Sequence, residues 1–94
     1  MHSMMYNILM SKKLEIFKKK LIYRASYRGT KEMDILLTNF VKKFIDKFNE
    51  KELYSLEKFL EFDDEIISNF YNYNIVSNNI DKNLVSKTFK NFKI

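Results

Sequence analysis

Ninety-four residues with a net charge of +5, a hydrophobic fraction of 46% and nine Phe suffice for one small folded domain and exclude a disordered chain. There is no cysteine, and the only histidine is His2 near the terminus, so disulfides, thiolate metal sites, a cysteine nucleophile and histidine-based acid–base catalysis are not expected. No apolar run approaches the roughly 18–20 residues that a membrane span requires.

The N-terminus, "MHSMMYNILMSKK", is apolar and then basic, the reverse of the charge order in a signal peptide, and it lacks an A-x-A-like cleavage site. It also lacks the Arg of a mitochondrial presequence. Residues 1–10 are therefore expected to form a flexible extension ahead of a domain spanning 11–94. A cytoplasmic location is expected, with the mitochondrial matrix as the alternative. The segment "KKLEIFKKKLIYR", residues 12–24, carries much of the positive charge and reads first as a solvated helix face.

Period-3.6 patterning recurs along the chain, whereas strand alternation is nowhere sustained. A first helix is predicted from Ser11 to Tyr27, with Leu14, Phe17, Leu21 and Ala25 on one stripe. Met33, Leu37, Phe40, Val41, Phe44, Ile45 and Phe48 mark a second helix of more than four turns. Asn49 followed by Glu52 reads as a capping arrangement that opens a third, carrying Leu53, Leu56, Phe59 and Leu60. Asp63, Asp64 and Glu65 place negative charge where a fourth helix should begin, with Ile66, Ile67 and Phe70 as its apolar face. Asn72 to Asn79 reads as the longest loop. A last helix should then turn Ile80, Leu84, Thr88 and Phe89 inward. The expected fold is all-α, a single bundle of five short helices. Tyr23, Tyr27, Tyr54, Tyr71 and Tyr73 are candidates for the surface.

The only glycine of a chain without proline lies in "YRGTKEMD", residues 27–34. Helix-corner physics accounts for this stretch residue by residue. Gly29 would take the left-handed conformation past the first helix, and Thr30 would cap the second. Arg28 and Glu32 would face the favourable ends of two helix dipoles, each worth about 0.3–1 kcal/mol.

The wider stretch "LIYRASYRGTKEMDILLTNFV", Leu21 to Val41, resembles the signature of the SdhE family of succinate dehydrogenase flavin-attachment assembly factors. The matching positions are Tyr23, Arg24, Ala25, Arg28, Gly29, Glu32, Asp34, Leu37 and Phe40. The resemblance continues more weakly through Leu56 to Phe70. It departs there at Ile66, where the family has a second Asp, and at Phe70, where it has a tryptophan.

That resemblance implies a five-helix, chaperone-like factor and not an enzyme. Its implied partner is the flavoprotein subunit of succinate dehydrogenase or, in some bacteria, of fumarate reductase, to which it promotes covalent FAD attachment. No stably bound cofactor, metal, nucleic acid or membrane is implied, and a monomer is expected. Carried over by position, Arg28, Gly29 and Glu32 form the contact centre, with Arg24 and Asp34 in support. Arg28 would reach a partner carboxylate or carbonyls, Gly29 would admit the partner's backbone, and Glu32 would accept a hydrogen bond or hold Arg28 in place. Replacing Arg28 or Glu32 by Ala should then cost only about 1 kcal/mol of stability. The rival readings are an antitoxin-like or other regulatory binding module and, behind it, a nucleic-acid-binding helical domain using Lys12 to Lys20.

Overall fold

The computed structural model describes residues 2–76 and 80–94, and the side chains from residue 11 onward within that range. Five helices and no strands occur among the described residues: α1 (His2–Ser26), α2 (Lys31–Phe44), α3 (Glu50–Leu60), α4 (Asp64–Tyr73) and α5 (Leu84–Asn91). The all-α expectation holds. Two boundaries differ. α1 begins at His2 and not at Ser11, so residues 2–10 continue the first helix, and α1 is 25 residues long. α4 continues to Tyr73, so the following loop starts later than Asn72.

Local capping chemistry explains most helix starts. The Thr30 hydroxyl accepts from the Met33 N–H at 3.2 Å, as its N-cap position predicts. Asn49 and Glu52 exchange two hydrogen bonds of 2.8 Å, forming a full capping box before α3. Asn83 and Ser86 make a second box at the start of α5. The apolar periodicity of α2 outlasts the helix itself. Ile45 and Phe48 follow as hydrogen-bonded turns, with Ile45 N–H donating to Val41 and Phe48 N–H to Phe44. Both stay buried.

The core lies where the five helices converge, with Ile67 and Phe70 as the buried residues of α4. Leu21, Leu37, Phe40, Val41, Leu56, Ile67 and Phe89 are fully shielded from solvent. Phe40 sits among aromatic rings, with Phe89 at 5.1 Å, Phe44 at 5.2 Å and Phe92 at 5.5 Å between centroids. These tilted and edge-on geometries add to the area that the rings bury. Phe70, at the position of the expected tryptophan, also joins the core.

Some facing assignments change. In α5, Leu84 is 53% exposed and Val85 takes the inward position with Phe89 one turn on, a phase one residue from the Leu84 and Thr88 stripe, while Ile80 is buried as expected. Leu36 is buried although it lies off the stripe read for α2. Tyr71 is half-buried, its hydroxyl donating to the Phe92 carbonyl at 2.6 Å, while Tyr23, Tyr27, Tyr54 and Tyr73 are exposed.

α4 and α5 are further tied by Lys90, whose ammonium donates to the Phe70 and Tyr71 carbonyls at 2.9 and 2.7 Å. The Phe70 carbonyl also accepts from the Asn74 N–H at 3.2 Å, and a cation at a helix C-terminus is favoured by the dipole. Asn74 ends α4 in the left-handed region, at φ 57° and ψ 29°, a conformation Asn tolerates better than most residues.

Candidate functional site: the corner between α1 and α2

The chain leaves α1 at Ser26 and enters α2 at Lys31, and four intervening residues make the turn. Gly29 is not in the left-handed conformation expected of it, and no glycine has positive φ. Its requirement has another origin. The Gly29 N–H donates to Asp64 Oδ2 at 2.6 Å, and a Cβ on Gly29 would stand 3.1 Å from that same oxygen. The glycine allows a carboxylate from the start of α4 to press against the corner backbone. The Thr30 N–H shares the oxygen at 3.3 Å.

Arg28 completes this knot. Its Nε donates to Asp64 Oδ1 at 2.7 Å, Nη1 to the Leu60 carbonyl at 2.8 Å, and Nη2 to the Phe62 carbonyl at 2.7 Å. The Arg28 and Asp64 side chains are only 10% and 18% exposed. The planar guanidinium thus satisfies the frayed C-terminal end of α3 and neutralises the first acid of α4 at once. Two helix corners, 32–36 residues apart in sequence, become one unit.

This corrects two expectations about Arg28. The guanidinium is engaged inside the molecule and not presented to solvent, and Asp64, not Glu32, holds it. Its removal would take the cation from the Asp64 carboxylate, leaving that group only its two backbone donors, and would strand two carbonyls, a loss of about 3 kcal/mol, well above the dipole contribution expected from the corner alone. Asp64 itself was legible only as a helix-dipole residue, since nothing local connects it to Gly29.

The remaining site residues separate into two directions. Arg24, one turn before Arg28, is 44% exposed and reaches Glu57 of α3 at 3.3 Å. Asp34 turns toward α1, where its carboxylate lies 3.2 Å from the Thr38 hydroxyl, itself 3.1 Å from the Ala25 carbonyl. Glu32 is exposed in the first turn of α2 and makes no hydrogen bond or ion pair among the described residues. It borders a groove of about 510 Å³ between α2 and α4, lined by Met33, Leu36, Glu65 and Tyr71. On the other side, Tyr27, Arg28, Gly29 and the segment Leu60 to Asp64 enclose a hollow of about 410 Å³. The corner is therefore a firm ridge, braced from beneath by Arg28, with Glu32 free on one flank and Tyr27 on the other. Such a surface can recognise a partner, but it assembles no nucleophile and no proton-transfer pair.

Residues 19–93 match the protein family described as flavinator of succinate dehydrogenase. The succinate dehydrogenase assembly factor 2, mitochondrial, of Debaryomyces hansenii is 30% identical over 81 residues, covering 86% of this chain and 54% of that protein. The protein of the same name in Scheffersomyces stipitis is 40% identical over 48 residues, covering 51% of this chain and 32% of the relative. The FAD assembly factor SdhE of Acetobacter pasteurianus is 40% identical over 47 residues, 50% of this chain and 43% of its own length. The matched region thus spans about half or less of each of these relatives. No solved structure gives a significant match. With the family match running through four-fifths of its residues, from the basic end of α1 to the last turn after α5, the chain belongs to the flavinator of succinate dehydrogenase family.

Proposed function

We propose that this protein binds the flavoprotein subunit of succinate dehydrogenase and promotes covalent attachment of FAD to it, taking no chemical part in the bond formed. The observation that carries this reading is the braced corner at Arg28 to Glu32, in a chain whose family is described as a flavinator. A helper of this kind needs a rigid, correctly shaped surface and not a reactive group. Holding reacting groups in a productive arrangement is worth large effective concentrations, so a purely binding protein can accelerate a partner's own reaction. FAD stays with the partner, and the fumarate reductase flavoprotein, as a related acceptor, is a second client of the same surface.

Within this reading the residues divide their labour. Arg28, Asp64 and Gly29 hold the ridge, and Glu32 meets the partner. Glu32 accepts from a donor on the flavoprotein at the positive end of the α2 dipole. Tyr27 lies on the opposite flank of the same ridge.

The test is covalent flavin on the succinate dehydrogenase flavoprotein, read by in-gel fluorescence in a deletion strain. Loss of signal on deletion supports the function, and an unchanged signal overturns it. Complementation with Glu32→Ala should leave flavin attachment at least tenfold below wild type while the variant stays folded. Full rescue by that variant would remove Glu32 from the contact surface.

A further inference from the structure

The six basic residues between Ser11 and Tyr27, set against Glu15 alone, amount to +5, the net charge of the whole chain. Their placement on α1 is not uniform. Leu21 and Ala25 are fully buried and Leu14 and Phe17 partly so, which fixes the inward face of the helix. At about 100° per residue, the opposite face carries Lys12, Ile16, Lys19, Tyr23 and Tyr27, with Lys20 at its margin. All six are exposed. None makes an ion pair among the described residues, whereas Lys18, on the inward margin, bridges to Asp46 at 3.0 Å.

Three features distinguish this face from an ordinary solvated one. Ile16, Tyr23 and Tyr27 are 55%, 63% and 71% exposed and share one strip flanked by lysines on both sides. The Tyr23 and Tyr27 rings pack against each other at 4.4 Å between centroids, so the aromatic surface is already ordered before any partner arrives. Tyr27 also lines the hollow beside Arg28 and Gly29, so the strip runs without a break into the braced corner.

We propose that the outer face of α1, from Lys12 to Tyr27, is a second docking surface for the flavoprotein, seated on an acidic, aromatic-accepting patch of that partner next to the one that meets the corner. The inference rests on the proposed function. Charge complementarity selects the occupant: a face with three lysines, and Glu15 alone at its opposite margin, steers toward carboxylates, and it repels a second copy of itself. Continuity with the corner selects the flavoprotein, because a partner that covers Gly29 must also cover Tyr27. From Lys12 to its end at Ser26 the helix rises about 21 Å, which extends the contact well beyond the corner. The lysines should act chiefly on the association rate and the tyrosines on the dissociation rate.

The experiment measures binding of the full chain to purified, FAD-loaded but non-covalent succinate dehydrogenase flavoprotein at low and near-physiological salt. Two variants are compared with wild type: Lys12→Glu/Lys19→Glu/Lys20→Glu and Tyr23→Ser/Tyr27→Ser. The expected result is at least tenfold weaker binding for each. The lysine variant should also lose most of the wild type's salt dependence, with Tm unchanged for both. Anionic phosphatidylglycerol vesicles and a single-stranded polynucleotide serve as competing probes. If wild type binds the flavoprotein and both variants bind it equally well, the inference fails while the proposed function stands. If wild type does not bind the flavoprotein at all, the proposed function itself fails. Loss of vesicle or polynucleotide binding in the variants, with flavoprotein binding intact, would also overturn the inference.

Discussion

Arg28 and the lysines at 12, 19 and 20 belong to the same basic end of the sequence, yet they occupy opposite physical situations. The Arg28 side chain is 10% exposed, and its guanidinium is bonded to a carboxylate and two carbonyls within the protein. The three lysines are exposed and unpaired among the described residues. A charge that satisfies internal groups holds the fold and has little left for a partner, whereas a charge kept in water contributes little to stability and is free to steer one. The most prominent residue of the corner is thus a brace, and in the proposed function the surface that it braces meets the partner.

The comparison can be broken most directly at Arg28. Arg28→Ala should lower stability by about 3 kcal/mol, because it removes the ion pair to Asp64, whose carboxylate keeps only the Gly29 and Thr30 N–H donors, and leaves the Leu60 and Phe62 carbonyls without that donor. For a domain of this size that corresponds to a fall in Tm of roughly 12–24 °C, measurable by thermal unfolding followed by circular dichroism. Arg28→Lys should recover only part of the loss, since a single ammonium cannot span the same three acceptors. A fall of less than about 1 kcal/mol in Arg28→Ala would show that the knot is not what joins the two corners.

Gly29→Ala should have an intermediate effect of about 1 kcal/mol. The new Cβ would meet Asp64 Oδ2 at 3.1 Å, and the carboxylate must shift by a few tenths of an ångström while keeping its bond to Arg28. Chemical denaturation should show the loss, and a double-mutant cycle with Asp64→Ala should show it to be coupled. Additive effects would argue against crowding as the reason for glycine.

Arg24→Ala sharpens the contrast between the two arginines. Its bond to Glu57 is 3.3 Å long and largely in solvent, so the loss should stay within about 0.2–1 kcal/mol and shrink further in high salt. Glu32→Ala should change stability least, by no more than about 0.5 kcal/mol, while it carries the largest effect on flavin attachment. Stability and function should therefore rank Arg28 and Glu32 in opposite order. Glu32→Ala is the cleaner functional test, because defects in Arg28→Ala would mix loss of fold with loss of contact.

Much of this was legible before any coordinates. The caps at Thr30 and Asn49, the core faces of α2, α3 and α4, and the five-helix count all follow from residues three or four apart, where the signal and its consequence lie within one helical turn. The phase of α5 differs by one residue from the reading, because Leu84 and Thr88 are spaced like Val85 and Phe89 and only packing against the other helices chooses the second pair. The reach of α1 back to His2 was equally obscure, since an apolar start resembles a frayed terminus as much as a helix.

The corner marks the boundary between the two kinds of knowledge. Sequence alone determined that residues 27–34 turn between two helices and that Thr30 caps the second, and it set Arg28, Gly29 and Glu32 in a stretch that resembles the signature of flavin-attachment factors. Only the tertiary structure decided why. The glycine serves a carboxylate 35 residues away and not a left-handed turn, and among the described residues the left-handed one is Asn74. No local rule could pair Gly29 with Asp64, because that contact exists only once α3 has folded back on α1 and brought the start of α4 against the corner.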